Sequence, residues 1–303
     1  MSAEPALATD VRSKLRPHEL VLLHGQPGSS ADWELVAGRL PATLHTVAAD
    51  RPGYGSSPLP AGGFTANARA VLDDLDSRGI PRAVLVGHSY GGGVALSAAS
   101  LAPNRVEAVV LLASVGPGCV NRWDKALAAA GAGPLCALIA WRFTPWIARA
   151  RLTWITRRRC RPPAPDEYVN WQIWGHADRE HGRLWRTFLT EQRALMCELD
   201  ELLSAIPSVQ APVLLLADPA DALVPVDTAF RLARALPNAG VQLVSGAGHH
   251  LPRRAADVVA RAITTFVTAL DGGEPHGQVA APAGTGRALG PARPLRPAAP
   301  FPA

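Results

Sequence analysis

The segment Ala83–Gly93, AVLVGHSYGGG, decides the fold of this chain. Its first four residues predict a buried strand, and a helical pattern over Val94–Leu101 follows the segment directly. The run Gly87–Gly91 (GHSYG) is a G-x-S-x-G motif in the strand–turn–helix setting that a nucleophilic serine requires. The flanking glycines let strand and helix approach closely, so the Ser89 hydroxyl can project from a strained turn above the sheet. We therefore interpret Ser89 as a nucleophile and not as part of an ordinary glycine turn.

Short apolar segments alternate with longer helical patterns on both sides of this motif. The alternation is typical of βαβ units, and strands that are apolar throughout indicate a sheet covered on both faces. The sequence thus predicts the α/β class, with a mostly parallel central sheet and helices on both faces. The predicted strands are Glu19–Leu23, Thr46–Ala49, Ala83–Val86, Ala108–Ala113, Val213–Ala217 and Val241–Val244; further predicted helices are Thr65–Ser77, Thr228–Ala235 and Arg254–Leu270.

The alternation is interrupted once, and this divides the chain. Residues 19–116 and 208–271 are predicted to form the α/β core, preceded by an N-terminal segment, 1–18. Residues 117–207 contain several helical patterns and seven of the eight tryptophans, which predicts a helical lid on the core. Residues 272–303 are rich in Pro, Ala and Gly without periodicity, so we predict a disordered tail that cannot bury enough apolar surface to order itself.

Composition narrows the class of protein further. Of the 303 residues, 48% are hydrophobic and 18% charged, which is enough apolar material for a large core. The net charge of +5 comes without a zinc-finger, RNP or helix-turn-helix motif, so nucleic-acid binding is not expected. Four widely spaced cysteines without a C-x-x-C pair indicate reduced thiols. The sequence has neither a signal-peptide core nor an uninterrupted apolar stretch of about 18 residues, so we expect a cytoplasmic protein.

A serine hydroxyl needs a base within hydrogen-bonding reach. Among nine histidines, His249 follows the last predicted strand and lies in a loop at the carboxyl edge of the sheet, as Ser89 does. Its neighbour His250 is the alternative. His88 is disfavoured, because a side chain adjacent to Ser89 in a tight turn should point elsewhere.

The imidazole in turn needs a carboxylate that fixes its tautomer. The strand Val213–Ala217 leads into a loop with two candidates, Asp218 and Asp221. We prefer Asp221, which lies deeper in the loop, whereas Asp218 suits a turn acceptor for backbone N–H groups. The chain order is then Ser, Asp, His.

The charge that develops on a substrate carbonyl oxygen needs preorganised donors. The backbone N–H of Tyr90, at the start of a helix, is one candidate. The other is the N–H of Gln26, in the loop that leaves the first strand, since Pro27 has no N–H. His24 is interpreted as a structural residue of the same loop.

Five motifs in this order, HGQPGSS, DRPGYGSS, GHSYGG, DPADALVP and GAGHHLP, resemble the α/β-hydrolase superfamily over residues 19 to 270. They are most similar to its lid-bearing esterases, carbon–carbon bond hydrolases, epoxide hydrolases and cofactor-free haloperoxidases. The resemblance implies a Ser89–Asp221–His249 triad, an oxyanion hole from Gln26 and Tyr90, and a lid inserted after the family's sixth strand. It also implies a structural role for the acid of the DRPG turn, Asp50.

The chain departs from the family pattern in two places. Epoxide hydrolases and haloalkane dehalogenases that share the HGxP loop carry aspartate at the nucleophile position, where this chain has Ser89. The chain before Glu19 is also short for the family's opening strand pair, so we expect a sheet of six to eight strands.

The predicted lid contains an unusual basic stretch. From Arg142 to Arg161 there are seven arginines and no acid, interleaved with tryptophans. A solvated helix face, recognition of an anionic substrate through arginine, and contact with an anionic membrane surface all fit this pattern. The candidate substrate-binding residues are Trp141, Trp146, Trp171 and Trp174, although aromatic lid residues more often only pack.

Together these features predict a serine hydrolase that cleaves an ester-like bond of a small or medium apolar substrate through an acyl-enzyme. Its partners are the substrate and water, and neither a metal nor an organic cofactor is implied; no oligomeric state is indicated. The alternatives are a cofactor-free perhydrolase or acyltransferase with the same triad, and a non-catalytic small-molecule receptor.

Overall fold

The computed structural model describes residues 18–129 and 179–271, together with the single positions 135, 143, 146, 150 and 153. The described strands form one six-stranded sheet in the order β2-β1-β3-β4-β5-β6, and every pairing in it is parallel. This confirms the predicted α/β class and all six predicted strands. The strands are β1 (Glu19–Leu23), β2 (His45–Ala49), β3 (Ala83–His88), β4 (Val106–Leu112), β5 (Val213–Ala217) and β6 (Ala239–Leu243).

The crossovers between parallel strands are helical, as the sequence pattern predicts. The described α-helices are α1 (Glu34–Ala37), α2 (Phe64–Ser77), α3 (Tyr90–Leu101), α4 (Arg122–Ala128), α5 (Arg179–Ala205), α6 (Val226–Ala235), α7 (Leu251–Arg254) and α8 (Ala256–Asp271). The predicted helix Arg254–Leu270 is wrong at its start. Pro252 lies in the first turn of a separate short helix, α7. The helical conformation is interrupted at Ala255, and α8 begins after it.

The two faces of the sheet bury two separate cores. Alternate residues of each strand point to opposite faces, so Val21 of β1 joins one cluster and Leu22 the other. The first cluster lies under α2, α3 and α6, and the second under α1 and α8. The two outermost strands, β2 and β6, are only partly buried, because among the described residues each pairs on one side alone. The strands that are apolar and fully covered are the central ones.

The helix α5 ends as part of the core. Its residues Leu195, Leu199 and Leu202 are buried in the same cluster as the apolar face of α3. Burial of each such leucine contributes about 1.5–3 kcal/mol, which holds this half of the helix firmly on the sheet. The division of the chain into core, lid (117–207), N-terminal segment and tail stays a prediction, since residues 1–17, most of 130–178 and 272–303 lie outside the described residues.

Among the described helices, none is long and apolar enough to cross a bilayer.

Candidate active site

Ser89 occupies a strained turn between β3 and α3. Its φ of 54° and ψ of −118° lie in a region that non-glycine residues rarely adopt, and such strain persists only when neighbouring contacts fix it. Two contacts, one with the last residue of β4 and one with the segment that follows it, do so here. The Ser89 N–H donates to the Leu112 carbonyl at 2.9 Å, and the Val115 N–H donates to the Ser89 carbonyl at 3.2 Å. The end of β4 and the segment after it therefore hold the serine in the conformation that the motif predicts.

The two glycines of the motif are sterically required. A Cβ at Gly87 would lie 2.4 Å from the carbonyl oxygen of Gly91, and a Cβ at Gly91 would lie 2.4 Å from the carbonyl oxygen of Leu23. Both neighbours are backbone atoms that cannot rotate away. The close approach of strand and helix thus depends on glycine at both positions.

The structure brings the three predicted side chains of the site together. His249 Nε2 lies 3.0 Å from Ser89 Oγ, and His249 Nδ1 lies 2.9 Å from Asp221 Oδ2. With the Nδ1 proton donated to the carboxylate, Nε2 is left to accept from the serine hydroxyl. Only 11% of the His249 side chain and 2% of the Asp221 side chain are exposed, so the pair is largely withdrawn from water.

Asp221 is held as a carboxylate by donors around it. The N–H groups of Leu223 and Val224 donate to its Oδ1 at 2.8 and 2.9 Å, while Oδ2 faces His249. Burial alone would raise the pKa of Asp221, but the hydrogen bond from His249 and those from the backbone lower it below its ordinary value. Asp221 is therefore ionised at neutral pH and can balance a positive charge on His249.

Two other acids near the site are backbone acceptors. Asp218 Oδ2 accepts the N–H groups of Ala247 and Gly248, both at 2.6 Å, and so fastens the loop that carries His249. This is the turn-acceptor role predicted for it. Asp50 accepts the N–H and the hydroxyl of Ser56, both at 2.9 Å. Burial would raise the pKa of Asp50, yet these and neighbouring hydrogen bonds lower it to about 2.

The two histidines that compete with His249 have different surroundings. His250 lies with its ring centroid 5.6 Å from that of His249, and burial, followed by the charge of His249, lowers its pKa to about 4. His88 points away from Ser89, as expected. It points into the loop that carries His249, where its Nε2 donates to the His249 carbonyl at 2.8 Å. Sequence reasoning missed this contact, because no local pattern indicates which backbone carbonyl, here 161 positions away, the His88 ring reaches.

The loop after β1 lies against Ser89. A Cβ at Gly25 would be 3.1 Å from Ser89 Cβ, so the residue before Gln26 lies against Ser89. Tyr90 stands in the first turn of α3, where N–H groups have no acceptor inside the helix. Tyr90 follows Ser89 directly and Gln26 follows a residue that lies against it, and the role of their N–H groups as oxyanion donors stays a prediction.

The buried side chains beneath this loop include an ion pair that sequence reasoning missed. Arg51 pairs with Glu191 of α5, and neither side chain is exposed at all. Arg51 also donates to the carbonyls of His24 and Gly25 at 2.8 and 2.9 Å, and the Tyr54 hydroxyl donates to Glu191 at 2.7 Å. The pair connects α5 to the two residues that precede Gln26.

His24 is a buried structural residue, as predicted. Its Nδ1 donates to the Gly25 carbonyl at 2.8 Å and its Nε2 accepts the Arg51 N–H at 3.0 Å. Burial, assisted by the charge of Arg51, lowers its pKa to about 3, so the ring is neutral.

The predicted substrate-binding tryptophans lie mostly outside the described residues. This holds for Trp141, Trp171 and Trp174, and the described Trp146 has a side chain that is 69% exposed. Within 18–129 and 179–271, no group of three or more His, Cys, Asp or Glu side chains is arranged to hold a metal ion.

Known proteins resemble this chain along most of its length. A model of the Alpha/beta hydrolase family matches residues 20–262. A 2-hydroxymuconate semialdehyde hydrolase from Pseudomonas putida is 28% identical, over 83% of this chain and 87% of its own length. An esterase from Thermogutta terrifontis has a similar structure, with a TM-score of 0.63 and 21% identity over 84% of this chain and 90% of its own. The haloalkane dehalogenase DbeA from Bradyrhizobium elkani also scores 0.63, with 21% identity over 85% and 92%.

Proposed function

The chain belongs to the alpha/beta hydrolase family, and from this premise we propose that it is a serine hydrolase with Ser89 as its nucleophile. Its substrate is a small or medium apolar molecule with an ester-like bond, and water is the second substrate. The observation that carries the proposal is the chain of hydrogen bonds from Ser89 through His249 to Asp221.

The first half of the reaction forms an acyl-enzyme. Ser89 Oγ attacks the carbonyl carbon while His249 Nε2 takes its proton, and Asp221 stabilises the imidazolium that results. The negative charge passes to the carbonyl oxygen, where the N–H groups of Gln26 and Tyr90 receive it; each such donor contributes about 10²–10³-fold in other serine hydrolases. When the tetrahedral intermediate collapses, His249 returns the proton to the leaving alcohol.

The second half repeats these steps with water. His249 removes a proton from the water that attacks the acyl carbonyl, the same two N–H groups hold the second oxyanion, and the proton returns to Ser89 Oγ as the acid leaves. Protons and charges balance without a cofactor.

A second candidate keeps the same residues and changes the bond that is broken. The relative from Pseudomonas putida is named for hydrolysis of 2-hydroxymuconate semialdehyde, and its similarity to this chain extends over 87% of its length. The carbonyl carbon attacked by Ser89 would then be joined to its leaving group by a carbon–carbon bond. Turnover of 2-hydroxymuconate semialdehyde, compared with a series of p-nitrophenyl esters of graded acyl length, decides between the two.

A fluorophosphonate probe tests the nucleophile directly. We expect the wild-type protein to be labelled and the label to be lost in Ser89→Ala, because the probe reacts with an activated serine. His249→Ala should lower ester turnover by about 10⁴-fold or more. His250→Ala is the matched control and should retain most of it.

Three outcomes would contradict the proposal. Absence of labelling in the wild type would favour a small-molecule receptor, and labelling that persists in Ser89→Ala would identify another nucleophile. Loss of turnover in His250→Ala but not in His249→Ala would reverse the assignment of the base. Addition of peroxide or an alcohol acceptor to the ester assay separates hydrolysis from perhydrolysis and acyl transfer.

A further inference from the structure

We infer that Gln192 and Asp124 are positioning residues for the loop after β1, and that they act through the side chain of Gln26. The inference rests on the proposed function, in which the backbone N–H of Gln26 is an oxyanion donor. Gln26 Nε2 donates to Gln192 Oε1 at 2.5 Å, and Gln192 Nε2 donates to Asp124 Oδ1 at 3.0 Å. We call these three side chains the amide chain.

The carboxylate of Asp124 fixes the direction of the amide chain. A carboxylate only accepts hydrogen bonds, and its second oxygen, Oδ2, already accepts the Asn121 N–H at 2.8 Å. Gln192 must therefore turn its NH₂ group toward Asp124 and its oxygen toward Gln26. Gln26 in turn must donate through Nε2, which leaves its Oε1 buried without a hydrogen-bond partner among the described residues. Each amide has one orientation only.

The amide chain complements the anchoring supplied by Arg51. Arg51 holds the carbonyls of His24 and Gly25, the residues before Gln26, whereas the amide chain holds Gln26 by its own side chain. Gln192 is itself only 1% exposed, so it offers Gln26 a rigid partner. A catalytic donor must be held within a fraction of an ångström, and a displacement of about 1 Å can cost about 10²-fold in rate.

The amide chain also joins two distant parts of the sequence. Asp124 lies on α4 and Gln192 on α5, at the two ends of the segment predicted to be the lid. Both ends are thus connected to the loop that carries the oxyanion donor.

A pair of substitutions tests the direction of the hydrogen bonds in the amide chain. Gln192→Glu still accepts from Gln26 but sets one carboxylate against that of Asp124, so we expect kcat for an aryl ester to fall about 10- to 100-fold with KM little changed. Adding Asp124→Asn should restore most of kcat, because the amide at position 124 can donate to the new carboxylate and still accept the Asn121 N–H. Gln192→Leu breaks both bonds without adding a charge and should lower kcat similarly. Gln210→Glu, the same change at an exposed glutamine, is the control and should have no effect.

Hydrogen exchange of the peptide that covers residues 24–28 gives a readout that does not need turnover. We expect faster exchange in Gln192→Glu and Gln192→Leu, and recovery in the double variant. If exchange rises while kcat stays at the wild-type value, the amide chain does not position Gln26 as an oxyanion donor, and the inference is wrong. Unchanged exchange in both single variants would also overturn it. Absence of Ser89-dependent turnover in the wild type would refute the proposed function instead, and exchange would still decide whether the amide chain holds the loop.

Discussion

Replacement of Glu191 by glutamine removes the charge that balances Arg51 in the interior. Neither side chain is exposed, so the guanidinium of the variant has no access to water. Breaking a buried pair by removing one partner costs about 3–5 kcal/mol, because the remaining charge stays uncompensated. Arg51 keeps its bonds to the carbonyls of His24 and Gly25, and we therefore expect the lower end, about 3 kcal/mol. For a protein of this size that lowers Tm by about 6–12 °C.

Thermal and urea denaturation followed by circular dichroism measure this loss. Glu201→Gln, an exposed position on the same helix, is the matched control and should change stability by less than about 0.5 kcal/mol. If Glu191→Gln unfolds within 1 °C of the wild type, Arg51 is not buried opposite a carboxylate in solution. The anchoring of the loop by α5 would then have to be abandoned.

Three further predictions concern the site and its surroundings. Asp221→Asn should lower kcat by about 10⁴-fold, because an amide no longer fixes the His249 tautomer; a loss below tenfold in steady-state kinetics would assign the orienting acid elsewhere. Gly91→Ala should destabilise the protein by several kcal/mol as judged by urea denaturation, since its Cβ would lie 2.4 Å from the Leu23 carbonyl oxygen; a stable variant would show that the turn can relax. Burial lowers the pKa of His24 to about 3 and that of His250 to about 4, so below pH 6.5 the unfolded chain binds more protons than the folded one. Stability should therefore fall as the pH drops from 6.5 to 5, by about 1.4 kcal/mol per pH unit for His24 alone, and equal unfolding free energies at pH 5 and 7 would contradict this.

Local patterns led to the parts of the site that the sequence predicts well. The glycines around Ser89 and the apolar run before it are adjacent in the chain, and together they specify a turn whose φ of 54° the structure shows. His249 and Asp221 each follow a predicted strand, and the carboxyl ends of parallel strands meet at one edge. Their placement could be predicted for that reason, and their catalytic roles remain proposals.

Distant contacts whose partners carry no motif or strand-end signal could not be predicted. Arg51 and Glu191 are 140 positions apart, and Gln26 and Gln192 are 166 apart. In the sequence, Glu191 is one acid among many on a helix with a polar face, and no local pattern distinguishes a buried acid from a solvated one. Arg51 belongs to the DRPGYGSS motif, but the resemblance implies a structural role only for its neighbour Asp50.

The hydrogen bond between Asp124 and Gln192 has a consequence for how this scaffold can diversify. It joins α4 to α5, so the described helices before and after residues 130–178 are fixed to each other. Doubling the length of a flexible loop between two fixed ends adds only about 0.6 kcal/mol of closure entropy. We therefore expect the sheet, the turn at Ser89 and the loop that carries His249 to tolerate a graft of different length and composition between these two helices. We therefore predict that recombinants joined at α4 and α5 keep the sheet and the hydrogen bonds among Ser89, His249 and Asp221.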